Sequence, residues 1–252
     1  MSFEEFIQSL SPLDLRARSA NSRAEYRRRY LDALRLPSAA ERAQIARAFV
    51  PARLDTRMRQ RGLVLPRRWP PCIVLVHENP LVEGGMPHTQ SGLPGRLLGR
   101  LPVIVMPASE FQLPEFAITL QHEYTHVLQR TFPEQFADWY RANWGVVEVP
   151  ISALGKDAVR RRANPDAMSL FAPAMEMRPE IRPEIRPAMR PARPAMRPAR
   201  PAMRPAMSAR TARSTAPWAV LYHKNPQSLK DCACATGWEH PHERLAYELE
   251  MW

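Results

Sequence analysis

His122 and His126 stand four residues apart, and Glu123 directly follows the first of them. On an α-helix, positions i and i+4 lie one turn apart on the same face, so both imidazoles can reach one cation. The carboxylate between them then sits beside the cation rather than on it. From there it can take a proton from a water polarised by the cation and pass it to a leaving amine. Neutral imidazole and carboxylate are the donors that Zn²⁺ takes in catalytic sites, so one Zn²⁺ is the expected cofactor and Glu123 the expected general base. The local pattern is helical over about 113–130. Pro114 suits a first turn, and Phe116, Leu120 and Val127 recur at helical spacing.

Two histidines do not complete a zinc site, and a third protein ligand is required. The metzincin continuation is absent, because Val127-Leu128-Gln129-Arg130-Thr131 follows the second histidine. The best source is a C-terminal helix starting near Pro241. It carries His242, Glu243 and Glu248, and Glu243, Ala246, Tyr247 and Glu250 share one of its faces. The small Ala246, one turn after Glu243, lets such a helix come close to the histidine helix.

His122-Glu123-x-x-His126 with a distant Glu243-x-x-Ala246 resembles the gluzincin group of zinc metallopeptidases. More narrowly, His126-Val127-x-Gln129-Arg130 and Pro241-x-Glu243-x-x-Ala246-Tyr247 resemble uncharacterised zincin-like proteins, some encoded by large DNA viruses. The resemblance spans residues 70–252 without the repeat described below. It implies an α+β zincin-like fold: a small β-sheet packed on the active-site helix, with a C-terminal ligand helix. It also implies that Glu243 is the third ligand, with Glu248 and His242 as alternatives. A Tyr or His stabilising the oxyanion is implied too, and Tyr247, Tyr222 and His223 are the candidates.

The elements that position these residues fall into four stretches. Residues 1–68 form an N-terminal helical region with a capping box at Ser38–Glu41, and its arginines read as a solvated face. Residues 69–175 form the core, with strands expected at Cys72–Val76 and Leu101–Met106, a glycine-bearing loop between them, and a second helix through Phe136, Trp139 and Tyr140. Residues 176–213 repeat an Arg-Pro unit with a four-residue period. Proline this frequent removes amide donors and fixes φ, so a semi-extended, disordered cationic tether is expected. Residues 214–252 return to the core through a strand at Pro217–Tyr222, a turn at Asn225–Ser228 and the ligand helix. Isolated His77, His88 and His240 read as structural.

The net charge of +11 is concentrated in the repeat, which holds ten arginines against three glutamates. That concentration argues against reading the whole chain as a nucleic-acid binder. Three cysteines, two of them in Cys232-Ala233-Cys234, are not a disulfide framework and suggest free thiols in a reducing compartment. There is no signal-peptide pattern and no apolar run of the roughly 18–20 residues that span a bilayer. The chain therefore reads as soluble and intracellular, and the viral resemblance admits a viral or host cytoplasm. The expected function is hydrolysis of a protein or peptide substrate. The alternatives are an inactive zincin scaffold that binds, or a basic binder of nucleic acid or an acidic partner through 176–213, whose salt dependence would reveal it.

Overall fold

The computed structural model describes residues 2–66, 69–94, 99, 101–167, 169–174, 219–223, 226–234 and 240–250. The expected tether at 176–213, the first residues of the expected strand at 217 and 218, and Asn225 of the expected turn lie outside them. Among the described residues the protein is mixed α+β, with eight α-helices and a small mixed sheet.

The sheet orders its strands β1-β2-β4-β3. Strands β2 (Ile73–His77) and β4 (Val103–Pro107) run parallel, while β1 (Leu34–Arg35) and β3 (His88–Gln90) are antiparallel edges. β4 is buried throughout, and the two-residue period of a strand sends its side chains to opposite faces. Val103 and Val105 meet Phe3, Phe6, Tyr26 and Tyr30 of the N-terminal helices. Ile104 and Met106 meet Leu120, Tyr124 and Val127 of the histidine helix. The sheet is thus covered on both faces. β3 reads as loop in the sequence because His-Thr-Gln carries no apolar signal; pairing with β4, not propensity, makes it a strand.

Local chemistry sets the helix starts. α1 (Phe3–Ser9), α2 (Pro12–Ala17) and α4 (Ala39–Ala48) each begin with a capping box, from Ser2, Ser11 and Ser38 respectively. α3 (Arg23–Asp32) is capped by Ser22, and α5 (Pro51–Gln60) starts on a proline. The histidine helix α6 (Phe116–Thr131) is followed at once by α7 (Pro133–Trp144), which ends on the left-handed Gly145, φ 63°. Every residue of α6 from His122 to Gln129 is buried, polar ones included, because strands, α7 and the last helix α8 (Pro241–Glu250) surround it. β5 (Val146–Val149) pairs with β6 (Leu170–Pro173), and β7 (Val220–Tyr222) pairs with β8 (Cys232–Cys234).

One N-terminal arginine departs from the expected solvated face. Arg18 is 2% exposed. Its Nε and Nη2 donate to the two carboxylate oxygens of Glu83, both at 2.8 Å, and its Nη1 donates to Asp14 Oδ1 at 3.1 Å. Its Nη2 also donates to the carbonyl of Ala163 at 2.7 Å. Burial alone would raise the Glu83 carboxyl, but the Arg18 charge and hydrogen bonds outweigh it and hold the group below its ordinary value.

Removing one partner of a buried ion pair strands the other. Arg18→Ala is therefore expected to cost about 3–5 kcal/mol of unfolding free energy. Arg27→Ala, which breaks an exposed pair with Glu4, should leave urea unfolding nearly unchanged. A depressed carboxylate stabilises the fold above its ordinary pKa and loses that contribution as the pH falls through the lowered value. The gap between parent and Arg18→Ala should accordingly narrow in acid.

Candidate metal centre and active site

α6 and α8 pack against each other, with Ala246 fully buried one turn after Glu243. This brings three donor atoms from two distant stretches together. His122 Nε2 lies 3.0 Å from His126 Nε2 and 3.2 Å from Glu243 Oε2, and His126 Nε2 lies 3.5 Å from the same oxygen. Donors about 2.0–2.2 Å from a tetrahedral ion stand roughly 3.3–3.6 Å apart; one separation in the trio falls in that range and the other two are a few tenths of an ångström shorter, so small outward shifts of the side chains bring it to the spacing of three zinc ligands. The donor chemistry fits as well: two imidazoles and a carboxylate, all buried.

Neighbouring groups orient the donors. Gln129 Nε2 donates to the His242 carbonyl at 3.0 Å and to the Tyr140 hydroxyl at 3.0 Å. A carbonyl only accepts, which fixes the Gln129 amide, so its Oε1 must face His126 Nδ1, 2.7 Å away. In the neutral imidazole Nδ1 then carries the proton and Nε2 presents its lone pair to the trio. Asn164 Nδ2 donates to Glu243 Oε1 at 3.1 Å, leaving Oε2 for the histidines.

The electrostatics follow from burying so many ionisable groups together. Burial, and next the charge of Asp166, push the Glu123 carboxyl up to about 8. Burial opposes protonation of His126, but Glu243 and Asp166 outweigh it and raise that imidazole to about 9. Burial would also raise Glu243, yet the His126 charge holds it well below the usual carboxylate range. Thr89 Oγ1, on β3, donates to both the backbone oxygen and Oε2 of Glu123 at 3.1 Å, holding this carboxylate beside the trio.

Of these groups His122, Glu123, Asn164, Asp166 and Glu243 line a cleft of about 360 Å³, whose walls include Met86, Pro87, Ile118, Arg162 and Tyr247. Tyr247 is half exposed, its ring edge-on to His122 at 4.7 Å. The other expected oxyanion groups lie elsewhere. The Tyr222 hydroxyl is buried, donating to Asp14 and accepting from Arg18. His223 is exposed next to it, and neither residue lines the cleft. Glu248, an alternative third ligand, instead pairs with Arg61 and Arg244. His242 makes its contacts beneath the site, with its ring against Tyr140 and Phe171. His240 is structural: its Nδ1 accepts from the His242 backbone at the start of α8.

Sequence reasoning missed the stretch Arg161–Ala167. It supplies Asn164 and Asp166, the latter within 4.8 Å of donor atoms of Glu123 and His126. No motif marks these residues. Only the Asn-Pro-Asp turn chemistry signalled a specific loop there.

Comparison of the chain with protein-family models, curated proteins and solved structures finds no match.

Partners of ligating groups typically tune cation affinity by about 10–100-fold. Gln129→Leu and Asn164→Leu are each expected to weaken Zn²⁺ affinity within that range. Competition against a chromophoric chelator reads it, and a variant binding as tightly as the parent would show that its side chain does not orient a ligand.

Proposed function

We propose that the protein is a metal-dependent hydrolase. More particularly, we propose a zinc peptidase of the zincin type, close to the gluzincin arrangement in which a late glutamate completes the site. The observation that carries this reading is the convergence of His122, His126 and Glu243 at ligand spacing, with Glu123 beside them. His122, His126 and Glu243 would hold the ion. When bound, Zn²⁺ supplies Lewis acidity toward a carbonyl oxygen and lowers the pKa of water.

The remaining work belongs to the chain. Glu123 accepts the proton of the attacking water and returns it to the leaving nitrogen. Its carboxylate stands beside the donor trio on the cleft wall, the position a general base for a polarised water requires. Thr89 aims Glu123, and Gln129 and Asn164 aim the ligands. Tyr247, on the cleft wall against His122, is the group best placed to donate to the developing oxyanion. The substrate class that goes with this reading is peptide or protein, and Ile118 and Met86 give the cleft apolar surface beside its polar groups.

The tests are metal content and hydrolysis. The purified protein should carry one Zn²⁺ per chain by mass spectrometry of the metal. Glu123→Gln should keep the ion and lose about 10²–10⁴-fold in peptide hydrolysis, the range for a general base. Equal rates in both proteins would end this mechanism. Bound zinc with no hydrolysis across a broad peptide library would favour the scaffold function instead.

A further inference from the structure

β3 is an edge strand beside Glu123, and such an edge ordinarily offers backbone N–H and C=O groups with which an extended peptide can pair. Here three of those groups, the Thr89 N–H and the carbonyls of Thr89 and Ser91, are used within the chain. Thr89 N–H donates to Asp166 Oδ1 at 2.7 Å, and the Thr89 carbonyl accepts from Arg130 Nη2 at 2.7 Å. The side chains of Asp166 and Arg130 thus stand in for the acceptor and donor of a neighbouring strand. Two residues on, the Ser91 carbonyl accepts from the Phe3 backbone N–H at 2.6 Å. Two residues back stands Pro87, which has no N–H to give.

The plug is firmly held. Arg130 also donates to the Pro165 carbonyl, and the Asp166 N–H donates to Asn164 Oδ1 at 2.9 Å. Asn164, Pro165 and Asp166 line the cleft, as do Met86 and Pro87 just ahead of β3.

Resting on the peptidase reading, we infer that this closed edge makes the cleft one-ended. Its substrate is a peptide whose scissile amide lies close to a chain terminus, and an extended polypeptide laid along β3 is excluded. Asp166 is the residue that sets this specificity: its side chain takes the one amide an incoming strand would need beside Glu123.

Two measurements test this. Amide hydrogen exchange, read by NMR on the full chain, should show Thr89 protected in the parent and in Asp166→Asn, whose side-chain oxygen still accepts. Asp166→Ala should speed Thr89 exchange at least about tenfold, as loss of a charge-assisted hydrogen bond requires. If Asp166→Ala does not fold, the parent and Asp166→Asn rates decide. The zinc-loaded parent is then given one long peptide in two forms, free-ended and blocked by acetylation and amidation, with products read by mass spectrometry. Trimming of the free-ended form near a terminus, with the blocked form intact, supports the inference. Internal cleavage of the blocked form overturns it, as does rapid Thr89 exchange in the parent. If neither form is cut while Thr89 stays protected, the peptidase function falls and takes the named substrate with it. Fast exchange at Thr89 would sink only the closed edge.

Discussion

Arg18 ties together four stretches of chain that are remote in sequence. Its guanidinium binds Asp14 in α2, Glu83 before β3 and the Ala163 carbonyl, and it donates to the Tyr222 hydroxyl. A charge this deeply buried has to be answered on every side, so each of these partners is placed by its demand for hydrogen bonds. Asp14 repeats the connection by accepting from the Ala163 N–H at 2.9 Å. Glu83 fixes the approach to β3. Ala163 fixes the stretch that delivers Asn164 and Asp166 to the cleft. The loop that walls the candidate site is therefore anchored in a polar core to which the N-terminal helices contribute Asp14 and Arg18, while α6 and α8 bring the donor atoms together.

The candidate donor trio shows the same logic at shorter range. The carboxylate of Glu243 is divided between two tasks, one oxygen held by Asn164 and the other turned toward the imidazoles. His126 has one nitrogen committed to Gln129 and the other left for the trio. A donor with a committed half has little freedom to turn away, so the trio is held in one arrangement. The tight packing of α8 on α6 depends on Ala246, where a larger side chain would push Glu243 outward.

Local signals explain how much of this was legible in the sequence. The histidine helix showed itself through Phe116, Leu120 and Val127 at helical spacing, and the last helix through Leu245 and Ala246 after Pro241. β2 and β4 are short β-branched runs, which periodicity and composition detect. β3 was hidden because its three residues are polar or aromatic-polar and become a strand only by pairing. Arg18 looks like its exposed neighbours, and burial of a charge has no one-dimensional mark. Asn164 and Asp166 act through tertiary placement alone. Tyr222 and His223 were credible by residue type, but pairing of β7 with β8 directs the Tyr222 hydroxyl toward Asp14.

The order of the ligands along the chain also has a consequence. His122 and His126 precede the Arg-Pro stretch, and Glu243 follows it. α8 is docked by contacts that do not depend on chain continuity: Arg57 Nη1 to the Leu249 carbonyl at 2.7 Å, Gln129 to the His242 carbonyl, and Leu245 and Leu249 in the core. Were the backbone severed between 176 and 213, each fragment would hold only part of the donor set. Their reassociation alone would restore it, so on the proposed metal-binding reading the protein has the layout of a split sensor in which ion capture reports that two halves have met.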